Sequence, residues 1–200
     1  MRIVLDPHIH TNISPDSSIT IGQLRDGLLA AGINAIAITD HDTMEGYRRV
    51  KSSNGFKELL VIPGVEVTTE LGDLIILGLE DPPLGKDPRL IIEQAHGQGG
   101  LVIVPHPFDI SRSSLGERCG MLKVDLIETF NGKCSSGCNR QAREFASALG
   151  VPGVGGSDAH ERRQLGAVVN LLESERSMSS VLDGLKKGVK IVVRQRGPGV

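Results

Sequence analysis

Tryptophan is absent from this 200-residue sequence, and one Tyr and four Phe bring the aromatic share to only 2%. A stacking platform for single-stranded nucleic acid has almost nothing to build with, so the core must be aliphatic. An excess of one charge is also missing. With 22 Lys+Arg against 24 Asp+Glu the formal net charge is −2, which gives no support to duplex nucleic-acid binding through counterion release. No apolar run approaches the ~20 residues of a membrane span, which argues against membrane insertion. At the N-terminus the apolar Ile3-Val4-Leu5 meets Asp6-Pro7 at once. That is too short for a signal-peptide core, so a cytoplasmic location is expected. Cys119, Cys134 and Cys138 are odd in number, and Cys134-x-x-x-Cys138 lacks the spacing of a zinc ribbon. Reduced, dispensable thiols are expected. Neither a Gly-rich P-loop nor a Gly-x-Ser-x-Gly elbow occurs.

What is present is an alternation of short apolar runs with helix-like segments, the pattern of an α/β fold. The runs are Ile3-Leu5, Ala35-Ile38, Leu59-Ile62, Leu74-Leu77, Leu101-Val104, Val124-Ile127, a short one near Val154, and Ile191-Val193. Most are apolar throughout, as strands buried on both faces must be. Helical spacing predicts helices over Thr20 to Ala31, Met44 to Val50, Pro88 to Gly97, Asn139 to Leu149 and Met178 to Lys187, with Gly32, Gly150 and Gly188 as stop signals. Asp81 to Pro88 reads as a loop. No composition shift or repeat divides the chain, so residues 1–200 read as one domain, with 194–200 as a flexible tail.

Five of the six histidines stand just beyond an apolar run: His8, His10, His41, His106 and His160. Asp6, Asp16, Asp40, Asp42, Glu66 and Asp158 share these positions. In α/β sheets and barrels the loops leaving the C-terminal strand ends converge on one face. Any one of these histidines alone reads as a structural, hydrogen-bonded residue, but five at strand ends do not. His96, inside a helical segment, reads as structural, and Asp6 and Asp42 as loop acids. His8 and His10 project to the same side of an extended backbone, already a chelating geometry. Imidazoles mixed with carboxylates suit Zn²⁺, Mn²⁺ or Fe²⁺. His8, His10, Asp16, His41, Glu66, His106, Asp158 and His160 supply more ligands than one ion takes, so two or three divalent ions are expected. Adjacent ions suit phosphoryl chemistry, with a metal-bound hydroxide as nucleophile.

The segments His8-Ile-His10 with Ser14-Pro15-Asp16-Ser17, Thr39-Asp40-His41-Asp42, Gly64-Val65-Glu66, Pro105-His106-Pro107 and Gly156-Ser157-Asp158-Ala159-His160 resemble, in order and spacing, the successive motifs of the PHP (polymerase and histidinol phosphatase) family. The resemblance covers residues 3 to about 170. It implies a distorted, seven-stranded (β/α) barrel, TIM-barrel-like, with a multinuclear metal site at the C-terminal strand ends. It also implies a short, stand-alone metal-dependent phosphoesterase whose catalytic and metal residues are those eight. On the family pattern, His8, His10, Glu66 and Asp158 hold one ion, Asp16, His41 and His106 a second, and His160 with a bridging Glu66 a third. One departure is visible: many members carry a further histidine in the strand after Gly-x-Glu, and here Asp73 stands at about that place, which predicts a third position of lower occupancy. The expected substrate is a small phosphorylated metabolite, a nucleotide or an oligonucleotide end. A histidinol phosphatase and a non-catalytic structural PHP domain are the competing readings. Arg112, six residues past His106 in a serine-rich loop, is expected to bind the substrate phosphate with its forked donors, ahead of Arg140, Arg162 and Arg163.

Overall fold

The structure, a computed structural model, describes residues 1–194. Among these, nine strands form a single sheet: β1 (Arg2–Asp6), β2 (Ala35–Ile38), β3 (Leu60–Thr68), β4 (Asp73–Leu77), β5 (Leu101–Val104), β6 (Leu126–Asn131), β7 (Gly153–Gly156), β8 (Val168–Glu173) and β9 (Lys190–Val193). Five helices accompany them: α1 (Ile21–Ala30), α2 (Glu45–Ser52), α3 (Pro88–Gly97), α4 (Ser136–Leu149) and α5 (Met178–Lys186). The sheet order is β7-β6-β5-β4-β3-β2-β1-β8-β9. None of the described helices is long and apolar enough to cross a membrane.

Local chemistry explains where the helices begin. Thr20 caps α1 in a reciprocal pair with Gln23, Asp87 caps α3 ahead of Pro88, and Ser135 and Ser177 cap α4 and α5. Each side-chain oxygen satisfies an N–H that the first turn leaves unpaired.

Strand alternation sorts the core into two sets. One face of the sheet, with Ile36, Ile38, Ile76, Val102 and Val104, packs against α1, α2 and α3. The other, with Ile3, Leu5, Ala37, Ile75 and Ile103, fills the interior together with Val181, Leu182 and Leu185 of α5. Helix α5 closes the end opposite the C-terminal strand ends: Lys186 Nζ pairs with Asp125, just ahead of β6, at 3.1 Å.

The expected seven-stranded (β/α) barrel is corrected to a nearly closed sheet of nine strands, two of them reversed. A four-residue connection, Thr69 to Gly72, joins β3 to β4, so β4 can only return antiparallel to both its neighbours. Strand β8, absent from the expected set because Asn170 interrupts its apolar run, pairs antiparallel with β1 and β9. Over the mouth the segments that follow β7 and β1 meet through the isolated bridge Ile9–Ala159. Below, the antiparallel pair β8–β9 occupies the gap. There the buried Asn170 amide replaces a backbone ladder: Oδ1 accepts from Gly155 N at 2.9 Å, and Nδ2 donates to Gly155 O at 2.7 Å. Of the expected tail, Arg194 is anchored, its N–H donating to Ala167 O at 2.8 Å. The rest of that expectation, from residue 195 on, lies outside the described residues.

His96 stands away from the histidine cluster, as a structural residue should. Its Nε2 lies 2.9 Å from Asp125 Oδ2, which also accepts from Val102 N at 2.8 Å. Burial alone would raise the Asp125 carboxyl, but the Val102 N–H, His96 and Lys186 together hold it below the usual aspartate range.

Asn170→Leu should strand both Gly155 backbone groups and cost about 2–4 kcal/mol, read as a lower urea midpoint at unchanged slope. Because the Asp125 carboxyl is depressed on folding, its contribution is present above its unfolded value near 3.9 and is lost as pH falls through the folded one. Asp125→Asn should therefore be less stable than wild type at pH 7, by about 1–3 kcal/mol, with the gap closing below about pH 4 in urea melts.

Candidate metal centre

All eight expected donors meet at the C-terminal strand ends. His8 and His10 follow β1, His41 follows β2, Glu66 lies in β3, His106 follows β5, and Asp158 and His160 follow β7. Asp16 comes from the loop ahead of α1. Most of this cluster is buried; Asp16 is half-exposed and His41 partly so.

Four of the five imidazoles share one orientation. The hydrogen-bond network assigns an outward Nδ1–H to four of them. His8 Nδ1 donates to Glu128 Oε1 at 3.0 Å, and His10 Nδ1 to Ser14 Oγ at 3.1 Å. His106 Nδ1 reaches Ser114 Oγ at 3.3 Å, and His160 Nδ1 donates to Asp158 O at 2.9 Å. Each of these rings therefore turns Nε2 inward. His41 faces the cleft with both nitrogens, Nδ1 at 3.3 Å from Glu66 Oε2 and Nε2 at 3.4 Å from Asp16 Oδ2.

Several of these inward contacts bring possible ligand atoms close together. His8 Nε2 and His10 Nε2 are 3.1 Å apart. Glu66 Oε2 is 3.5 Å from the first and 3.1 Å from the second, while Asp158 Oδ1 is 3.4 and 3.6 Å from them. Asp158 Oδ1 is fully enclosed and has no hydrogen-bond partner. An ion with ligand bonds near 2.1 Å sets neighbouring donors about 3.0–3.4 Å apart, so these separations are close to the edges of one coordination shell. The residues fit a divalent metal.

Three groups of donors have their ligand atoms within 4.8 Å of one another: His8, His10 and Asp158; His8, Glu66 and His106; and His10, His41 and His160. His106 Nε2 meets Glu66 Oε1 at 2.9 Å, while Asp16 Oδ2 stands with His160 Nε2 at 3.0 Å and with His41. Burial alone would raise the Glu66 carboxyl, yet His8, His10 and His106 around it hold it well below the usual range. Asp73 lines the same cleft but belongs to none of the three groups. Burial and the nearby Glu66 charge push its carboxyl up to about 6, and its Oδ1 has no partner.

The remaining acids are spent on backbone. Asp40 accepts from Thr11 N and Ser14 N, Asp42 from Thr68 N, and Asp6 from Ser157 N and Gly166 N. Arg112 is in the cleft, but its guanidinium already serves Asp158, Asp109 and Asn131. Arg140, Arg162 and Arg163 are not among the residues lining this cleft. Cys134 Sγ accepts from Arg112 Nη2 at 3.3 Å. Cys119 is core, and Cys138 sits beside Ser135.

Sequence reading missed Glu128, Asn131 and Lys133. Glu128 braces His8 and also accepts the His106 N–H at 2.8 Å. Lys133 places Nζ 3.2 Å from His160 Nδ1. The available signal was the run Glu128-Thr129-Phe130-Asn131, three polar residues in four inside what proves to be the rest of β6. Gly156 is required beside them, because a Cβ there would collide with Glu128 and His8.

The cleft over the cluster has a volume of about 390 Å³, and Lys133 lines both it and a second of about 510 Å³ between the end of β6, α4 and the β8–β9 pair.

Two family profiles match the sequence: the PHP domain over residues 6–101 and a PHP-associated region over residues 138–189. An uncharacterized protein of Methanocaldococcus jannaschii is 38% identical across 63% of this chain and 80% of its own length. A second from the same organism is 32% identical across 78% of this chain and 65% of its own. Among solved structures, a two-domain protein of Bacteroides vulgatus, described as containing a predicted PHP-like metal-dependent phosphoesterase, superposes with a TM-score of 0.80 at 19% identity, covering 96% of this chain and 65% of that one. The chain thus spans just under two-thirds of the length of the last two. Motif order, donor placement and both profiles agree: this chain belongs to the PHP family.

Proposed function

We propose that the protein is a metal-dependent phosphoesterase that hydrolyses a phosphate ester in the cleft over His8, His10 and Glu66. The observation that carries this is the set of four imidazoles with Nδ1 tied outward and Nε2 turned toward buried carboxylates. His8, His10, Glu66 Oε2 and Asp158 Oδ1 would hold one ion. His106 with Glu66 Oε1 would contribute to a second, and Asp16, His41 and His160 to a third, with zinc, manganese or iron the metals this donor mixture suits. Bound there, the metals supply Lewis acidity and activation of water toward phosphorus.

The chain's own part is positional. Ser14, Ser114 and Glu128 fix the rings, so little reorganisation accompanies binding. Lys133, on the rim, offers an ammonium to the phosphate, and the organic part of the ester would extend past it into the second cleft. A small phosphorylated metabolite, a nucleotide and an oligonucleotide end remain the substrates to compare. The full donor set favours an active enzyme over a structural domain that has lost its ligands.

Elemental analysis of the purified protein should find transition metal, and hydrolysis of an aryl phosphate should stop with chelator and return with Mn²⁺ or Zn²⁺. The His8→Ala, His10→Ala double variant should lose metal and at least about 100-fold in activity. Unchanged metal content, or chelator-resistant turnover, would refute the assignment.

Asp73 is proposed to complete the weakest position from the Glu66–His106 side. Asp73→Ala should lower the affinity of one site in a metal titration, and Asp73→His should raise its preference for zinc. Identical titrations for all three proteins would put Asp73 outside the coordination sphere.

A further inference from the structure

Arg112 is the cation closest to hand for a substrate phosphate, yet its hydrogen bonds are already committed. Nε and Nη2 both donate to Asp109 Oδ2, at 3.0 and 2.9 Å. Nη2 also reaches Asn131 Oδ1 and Cys134 Sγ, each at 3.3 Å. Nη1 donates to Asp158 Oδ2. A guanidinium has five N–H groups, so at most one Nη1–H is left for a ligand, and a forked phosphate clasp needs two in parallel. The phosphate would have to displace Asp109 or Asp158 to be gripped in that way.

Asp158 is where this commitment matters. Its two oxygens live in opposite environments although both are buried. Oδ2 accepts from Arg112 and from Asn131 Nδ2, the latter at 3.0 Å. Oδ1 accepts from nothing and faces His8, His10 and His160. The Asn131 amide cannot flip to change this. Its Nδ2 also donates to Glu128 Oε2 at 2.8 Å, and its Oδ1 accepts the N–H groups of Lys133 and Cys134 at 2.8 and 3.2 Å.

We propose that Arg112 is a positioning residue: with Asn131 it occupies Asp158 Oδ2 so that Oδ1 alone is presented to a metal, making Asp158 a one-oxygen ligand. The inference rests on the metal-centre reading above and replaces the expected phosphate-binding role of Arg112. Releasing Oδ2 would let the carboxylate rotate or chelate through both oxygens, which changes coordination number and weakens the fit to His8 and His10. Lysine at position 112 retains the charge but lacks the fork, so it cannot hold Asp109 and Asp158 together.

Metal-stripped wild type, Arg112→Lys and Asn131→Ala would be titrated with Co²⁺, following heat and the visible ligand-field spectrum. Aryl phosphate KM would then be measured at saturating metal. Both variants should bind Co²⁺ about 10–100-fold more weakly at one site with an altered spectrum, while KM stays within about twofold, a change too small for a lost phosphate clasp. Far-UV dichroism checks folding. Should Arg112→Lys not fold, Asn131→Ala, which removes a neutral partner from the same oxygen, decides alone. Wild-type affinity and spectrum in the folded variants would overturn the proposal, and a raised KM beside them would return Arg112 to the phosphate. If wild type itself binds no Co²⁺, the metal-centre reading fails first and the inference with it.

Discussion

The buried Glu66 carboxylate is surrounded by the imidazoles of His8, His10, His41 and His106, and the rest of the mouth follows from keeping that charge inside the protein. A carboxylate removed from water stays ionised only where its partners repay the lost hydration. Imidazoles do so only if their far nitrogens are satisfied, which brings in Glu128, Ser14 and Ser114. Those groups need support of their own. Glu128 is held by Asn131 and by the His106 N–H, and Ser14 donates to Asp40 at 2.7 Å. The polar structure therefore extends outward from Glu66 in layers until it ends in backbone amides.

The backbone also bears a cost at this mouth. Asp42, His106 and Asp158 are the described non-glycine residues with positive φ, at 53°, 31° and 52°. Such conformations cost on the order of 1–3 kcal/mol each and persist only where the surroundings over-determine them. Here each residue's own N–H is tied into the site: Asp42 N to Glu66 O, His106 N to Glu128 Oε2, and Asp158 N to His8 O, all within 2.8–2.9 Å. Two of the three, His106 and Asp158, are metal candidates.

Much of this could be read from the sequence because the donors obey a rule visible in one dimension. Each histidine of the cluster follows an apolar run, and strand ends of a wound sheet converge. The residues that brace them obey no such rule. Glu128 and Asn131 lie past the point where the apolar run of β6 ends, and nothing periodic marks a side chain whose task is to hold another. Strand β8 was hidden for a related reason. Asn170 looks like an interruption until the neighbouring strand is known, and then it proves to stand in for a peptide group against Gly155. Arg112 stands in the cleft, as its place after His106 suggests, but sequence proximity cannot reveal its hydrogen bond to Asp158, 46 positions away.

The meeting, over the mouth, of the segments that follow β1 and β7 has a consequence for how the chain gains its order. His8 and His10 lie near one end of the sequence, Asp158 and His160 near the other, and backbone contacts such as His10 N to Ala159 O, at 3.0 Å, join them directly. Contacts so distant along the chain carry the largest loop-closure entropy and are late rewards in folding. The donors thus assemble only once nearly the whole sheet has wound. A cation gripped from both sides would behave as a clip across the longest loop in the molecule, favouring the wound form by mass action and coupling the protein's persistence to the supply of metal.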